Sequence, residues 1–283
     1  MKNPSTLSKG VYTMGEYATM LYEKKGTFLT PVKNIAYIKL NRPDAMNAIN
    51  DQFIIDLNDA LDEAENDPEI RSVIIGTAHP KVYCTGADLK MAQGFLTNTE
   101  PVADLIRQGQ DVIDKIAKMS KPVIAAIHGL CLGGGTEIAL ACDIRICDED
   151  TKIGTPEVAL GLIPAWGGCV RIARILGLGK ALELVLTGAQ LTAKESLEYG
   201  LVSKVTSPSD LESEAIKYAM KFGQNAPLAL KLAKQATHMA FETTYEKNLE
   251  FQVEAAVECF KTSDLGEGIA AIFEKRQAKF KGE

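Results

Sequence analysis

Apolar positions follow two different periods along this chain. The runs TMLYEKK (19–25), IAYIKL (35–40), SVIIGTA (72–78), PVIAAIHG (122–129) and DIRICD (143–148) are short and rich in β-branched residues, as strands are. Between them the spacing becomes helical. Phe53, Ile54, Leu57 and Leu61 share one face of 51–65, and Leu105, Ile106, Val112, Ile113 and Ile116 share one face of 103–119. Strands that alternate with helices predict an α/β domain with helices packed on the sheet. Pro43 cannot occupy a central strand, so NRPDAMNAI (41–49) reads as a loop leading into a helix.

Beyond residue 166 the pattern is almost wholly helical, over 167–175, 178–187, 193–198, 209–223, 227–240, 243–260 and 266–279. Only LVSKV (201–205) resembles a strand. Pro208 and Ser209 precede one helix, and Pro227 opens the next at a first-turn position. Such a terminal run must pack on the domain or on another subunit, which predicts an oligomer. The 79–100 segment, with His79, Pro80, Gly86 and Gly94, is the expected mobile loop.

Composition narrows the function. The 283 residues are 46% hydrophobic and 24% charged, enough for one large domain, and the net charge of −6 disfavours broad electrostatic binding of nucleic acid. Cys84, Cys131, Cys142, Cys147, Cys169 and Cys259 form no CxxC pair and read as reduced thiols. The opening MKNPSTLSKG lacks the apolar core of a secretory signal, and no run is long enough to span a membrane. A cytoplasmic protein is expected.

The most informative stretch is GLCLGGGTEIALACD (129–143), where three glycines separate an apolar run from a helix carrying Glu137. Bare backbone here serves one of two ends. It either permits a tight turn and close helix packing, or it leaves helix N-terminal N–H groups free to hold a negative oxygen. KVYCTGADLKMA (81–92) repeats the device, with Gly86 at a turn and the N–H of Ala87 opening a short helix. KIGTPEVALGLIPAWGG (152–168) adds Glu157, which reads as a surface acid or as a second site carboxylate. GLGK (177–180) follows a helix and lacks the spacing of a phosphate loop, no GxSxG elbow occurs, and His79, His128 and His238 have no metal-site spacing. His128 is expected to be a hydrogen-bonded core residue. Carboxylates and backbone amides are left to carry the chemistry.

From about residue 21 to the end, the order of LNRPDAMNAI (40–49), CTGADLKMA (84–92), GLCLGGGTEIALACDIRI (129–146), GTPEVALGLIPAWGG (154–168) and EGIAAIFEKRQAKF (267–280) resembles the crotonase superfamily, and within it the enoyl-CoA hydratases. The resemblance implies an N-terminal extension over 1–17, a core over 18–206 built as a crotonase-like spiral of ββα units, and a helical trimerisation region over 207–283. It implies an acyl-CoA substrate, of which coenzyme A is part, with no metal or redox cofactor, and a trimer or dimer of trimers. The thioester oxygen would lie between the N–H groups of Ala87 and Gly134. Ala87, Asp88, Leu89 and Lys90 would border the coenzyme, and Lys275 would approach its phosphate from a neighbouring subunit.

Hydratases of this kind carry a glutamate at both Glu137 and Glu157, whereas the simple double-bond isomerases generally lack the first. Addition of water across a conjugated double bond needs one group to activate the water and a proton source for Cα. The expectation is that the two acids hold one water between them, Glu137 orienting and activating it and Glu157 serving as the main acid/base for the proton that reaches Cα. One departure stands out: 164–168 reads PAWGG, where hydratases have a glycine followed by a small residue. Trp166 either fills a packing gap or, with Ala165, shapes an acyl pocket for a cyclic or dienoyl thioester. Isomerisation, thioester hydrolysis and non-catalytic RNA binding are the alternatives on the same scaffold.

Overall fold

The computed structural model describes residues 15–27 and 30–283. Two sheets organise the chain. A seven-stranded sheet is built from β1 (Gly15–Glu16), β2 (Met20–Thr27), β3 (Thr30–Leu40), β4 (Ser72–Thr77), β6 (Val123–Ile127), β8 (Ile144–Asp148) and β11 (Lys204–Thr206), in the spatial order 1-2-3-4-6-8-11. Its first two pairings are antiparallel and the remainder parallel. A four-stranded sheet has the order β10-β9-β7-β5, from β5 (Val82–Cys84), β7 (Leu130–Leu132), β9 (Lys152–Gly154) and β10 (Gln190–Thr192).

The chain winds between the two sheets in a repeating unit. One strand joins the large sheet, the next joins the small one, and a helix follows. Thus β4 and β5 lead to α2 (Leu89–Gly94) and α3 (Val102–Lys118), β6 and β7 lead to α4 (Gly134–Ala141), and β8 and β9 lead to a 3-10 turn (Pro156–Leu160) and α5 (Gly168–Leu176). This is the expected ββα spiral.

Burial on both faces explains the apolar strands of the large sheet. Ile38, Leu40, Val73, Ile75, Val123, Ala125 and Ile127 face the main core, shared with Phe53, Leu57 and Leu61 of α1 (Asp51–Asn66). Ile35, Tyr37, Ile74, Ile124, Ala126 and Ile146 face the other way, onto Leu211, Ala215 and Ala219 of α8 (Leu211–Gly223). Helix α1 starts where the Asn50 side chain accepts a hydrogen bond from the Phe53 N–H at 3.0 Å, an N-cap that fixes its register.

The second half adds α6 (Leu178–Thr187), α7 (Ala193–Glu198), α9 (Pro227–Met239), α10 (Tyr245–Phe260) and α11 (Ser263–Phe273). Helix α10 packs on α9 and α11. No helix among the described residues is long and apolar enough to cross a membrane. All six cysteines are unpaired, and four are buried. His128 bonds the buried Asp148 carboxylate and the Pro80 carbonyl.

Several elements differ from the pattern read in the sequence. Residues 79–100 are not one loop, because they contain β5 and α2. The whole small sheet was absent from that reading: its strands are three residues each, too short for a periodicity. The last helix ends at Phe273 instead of reaching 279. Lys275 therefore lies beyond it, with φ of +53°. Most of the 1–17 extension falls outside the described residues, and Gly15 and Glu16 pair with Tyr22 and Leu21.

Asn47 ties the 41–49 segment to β5. Fully buried and left-handed at φ +54°, it donates to the Tyr83 carbonyl and to Thr77 Oγ1, both at 2.9 Å, and accepts from the Arg42 N–H at 2.7 Å. Asn47→Ala is expected to lower stability by about 2–4 kcal/mol, since buried partners lose their hydrogen bonds and a Cβ residue without a polar tip is left in the left-handed region. Urea denaturation monitored by circular dichroism checks this.

Candidate active site

Strands β5, β7 and β9 run parallel and adjacent. Their carboxyl ends therefore deliver three segments side by side: Gly86 and Ala87 after β5, Gly133 and Gly134 after β7, and Glu157 after β9. Each segment carries one of the groups expected from sequence.

The glycine knot earns its composition here through close approach. Gly133, at φ +54°, is the N-cap of α4 and donates its N–H to the Gly154 carbonyl at 3.0 Å. A Cβ on Gly133 would come within 3.2 Å of Glu157 Oε1, and one on Gly135 would strike Cys84 at 2.6 Å. The tight-packing reading of the run holds: it packs α4 onto β5 and brings Gly133 against Glu157. Thr136 locks the arrangement, since its hydroxyl donates to the carbonyls of Cys131 and Gly154 at 2.7 and 2.8 Å.

Gly134 is the first residue of α4, so its N–H has no partner within the helix. Gly86, at φ +93°, lies directly against it: a Cβ there would begin 3.1 Å from the Gly134 nitrogen. Ala87 follows, bridged in parallel to Ile49. That bridge uses the groups on either side of Ala87, with the Ile49 N–H bonded to the Gly86 carbonyl and the Asp88 N–H bonded to the Ile49 carbonyl, both at 2.8 Å. Successive strand residues alternate in direction, so the N–H of Ala87 points away from Ile49. Ala87 precedes α2 and does not open it, because the helix begins at Leu89 with Asp88 as its cap.

Glu137 is one turn into α4 and only 2% exposed. Its Oε1 accepts two backbone hydrogen bonds, from Trp166 and Gly168, each at 2.8 Å. Burial, partly offset by those bonds and reinforced by the charge of nearby Glu157, pushes its carboxyl up to about 7. Burial also raises Glu157, whose Oε2 is enclosed and makes no hydrogen bond to the protein. Both acids act on a common neighbour: each helps raise the Cys169 thiol, after burial as the leading cause. The two carboxyl groups are electrostatically coupled, because the charge of Glu157 helps hold Glu137 up.

The remaining expected residues divide. Asp88 accepts from the Lys90 N–H at 3.0 Å and pairs with Arg42 at 2.7 Å, and the guanidinium holds its carboxyl below the usual range. Leu89 and Lys90 are exposed. Ala165 and buried Trp166 adjoin Glu137. Lys275 is exposed in the segment after α11, where its neighbour Arg276 pairs with Glu267 and Glu274. Sequence reasoning missed Arg42, which also donates to the Ala48 carbonyl at 2.8 Å and so braces both sides of the Ile49–Ala87 bridge. The signal was an arginine inside a segment read only as a loop.

The spiral of ββα units with a helical tail is the crotonase fold. It superposes on the enoyl-CoA hydratase of Bacillus anthracis with a TM-score of 0.87 at 35% identity, covering 94% of this chain and 100% of that one. An enoyl-CoA hydratase from Polaromonas gives 0.86 at 31%, covering 92% and 99%. The family model for enoyl-CoA hydratase/isomerase matches residues 31–283. The short-chain-enoyl-CoA hydratase of Clostridium acetobutylicum is 37% identical over 262 residues, 93% of this chain and 97% of its own. The crotonyl-CoA hydratase of Syntrophomonas wolfei is 36% identical over 261 residues, 92% and 99%. The chain belongs to the enoyl-CoA hydratase/isomerase family.

The raised Glu137 carboxyl has a consequence for stability. Its folded value of about 7 exceeds the ordinary 4.5, so the folded state holds a proton that the unfolded state releases more readily. Its stabilising effect is complete at low pH and is lost as pH rises from about 4.5 to about 7. Glu137→Gln abolishes that loss. The melting temperature of the variant relative to wild type is expected to climb across this window and level off above it, as measured by scanning calorimetry at a series of pH values.

Proposed function

We propose that this protein adds water across the 2,3 double bond of an enoyl-CoA thioester. The observation that carries the reading is the contact between the Gly86–Ala87 turn and the Gly134 nitrogen, with Glu137 and Glu157 on the adjoining segments. In this reading the thioester oxygen lies between the N–H groups of Ala87 and Gly134. Conjugate addition turns that oxygen into an enolate oxygen, and fixed donors at a helix N-terminus stabilise the developing charge more than the neutral carbonyl; one such donor is typically worth about 3–4 kcal/mol.

The two acids divide the proton work. Glu137, anchored through Oε1 to two backbone amides, orients a water and takes its proton as the water oxygen bonds to Cβ. Glu157, enclosed and raised, delivers a proton to Cα. One carboxyl gains the proton the other loses, so the pair carries a single proton before and after turnover. Raised carboxyl groups suit this exchange at neutral pH. Ala87 to Lys90 border the coenzyme, whose binding orients the alkene from a distance.

The same reading makes the protein a trimer or dimer of trimers. It is supported by apolar faces that the single chain leaves bare: Leu178, Leu182 and Leu186 recur every fourth residue along α6, and Leu249, Val253 and Val257 do so along α10. Lys275 of a neighbouring subunit would then approach the coenzyme phosphate.

Crotonyl-CoA incubated with the enzyme is expected to give a product heavier by one water with the thioester intact, as read by mass spectrometry. Glu157→Gln and Glu137→Gln are each expected to lower kcat by about 10²–10⁴ while acyl-CoA binding survives. Wild-type rates in both variants would overturn the assignment, and loss of coenzyme A from the product would point to hydrolysis instead.

A further inference from the structure

Trp166 is the only tryptophan in the sequence, and its ring is docked on a helix that has a gap for it. Gly109 of α3 is buried, and a Cβ there would fall 2.3 Å from the indole nitrogen and 2.4 Å from Cε2. The opposite edge of the ring reaches the first turn of α4. A Cβ on Gly134 would meet Cζ3 at 2.6 Å and Cε3 at 2.9 Å, with Ile49 Cδ1 also at 2.9 Å. The indole thus spans from α3 to the residue whose N–H is assigned to the thioester oxygen.

Its backbone is fixed as firmly as its ring. The Trp166 N–H donates to Glu137 Oε1, and the Trp166 carbonyl accepts from Arg171 at 2.8 Å. Arg171 pairs with Asp114 of α3, and Gln110 of the same helix donates to the Ala165 carbonyl at 2.7 Å. Residues 165–171 are therefore held to α3 at several points, so the ring behaves as a wall. Trp166 fills a packing gap, and the gap it fills adjoins Gly134.

We propose that Trp166 is the chain-length stop of the acyl site, and that Gly109 is the positioning residue that seats it, making short linear enoyl thioesters the preferred substrates. This rests on the hydratase reading. With its oxygen at Gly134 and its Cβ beside Glu137, an acyl group must continue toward a ring rooted at the same carboxylate. An open apolar pocket improves binding about four-fold per added methylene. Against a fixed ring that gain ends early, and further methylenes are rejected.

The test compares kcat/KM for crotonyl-, hexenoyl- and decenoyl-CoA in wild type, Trp166→Ala, Trp166→Phe and Gly109→Ala. Wild type is expected to favour crotonyl over decenoyl by about 10-fold or more. Trp166→Ala is expected to raise the decenoyl-to-crotonyl ratio by at least about 10-fold, with Trp166→Phe between the two. In Gly109→Ala the displaced ring is expected to depress even crotonyl turnover. Independently of turnover, butyryl-CoA should change the tryptophan emission of the wild-type enzyme saturably, and coenzyme A alone should not.

If wild type hydrates crotonyl-CoA yet the ratio is unmoved in both Trp166 variants, or butyryl-CoA leaves the emission unchanged, the stop is wrong and the hydratase reading stands. A preference for a cyclohexadienoyl thioester over crotonyl-CoA also overturns it. If no enoyl-CoA of any length is hydrated, the reading beneath it fails.

Discussion

Strands β5, β7 and β9 pair in parallel, so the chain leaving each carboxyl end emerges about 5 Å from the next. Everything at the site depends on that spacing. It sets the Gly86–Ala87 turn against the first amide of α4 and brings the Glu157 turn alongside. The constraint is severe because there is no room for side chains between these segments: Gly86, Gly133 and Gly135 each face backbone or a carboxylate within about the contact distance of a methyl group. Glycine is required there by close approach.

The site works against the stability of the domain. Glu137 is almost wholly buried, and its two backbone hydrogen bonds do not fully offset desolvation, so the group is raised. Glu157 Oε2 is enclosed without a protein partner. Buried carboxyl groups of this kind are costly and need a compensating purpose. The proposed proton exchange supplies one, since burial favours the protonated form of both acids and so suits them to trade a proton. The cost is met by the large sheet, whose two faces are buried beneath α1 and α8.

Much of this was legible in the sequence for physical reasons. The central strands of the large sheet, β3, β4 and β6, are long enough, and buried enough on both faces, to appear as continuous apolar runs. The helices of the second half show their faces at the expected spacing. Glu137, Glu157 and Ala87 could be singled out because glycines and turns mark places where backbone is exposed, whereas Gly134 came with the family resemblance that the ordered motifs carry. The small sheet was hard to see because its three-residue strands carry no period and sit beside glycine-rich turns. The brace of Arg42 and Asn47 was hidden because it depends on partners distant in sequence: Asp88 for one, and Thr77 and Tyr83 for the other. Trp166 drew attention as a departure from the expected hydratase pattern, but only the missing side chain at Gly109 explains where its ring goes.

The central claim concerns one oxygen atom and two amides. A crystal structure of the protein with butyryl-CoA, a saturated analogue that cannot be hydrated, tests it most directly. The account predicts the thioester oxygen within about 3 Å of both the Ala87 and the Gly134 nitrogens, with the acyl carbons beside Glu137 and Glu157. A thioester oxygen bound elsewhere, with those two amides facing solvent, would contradict it.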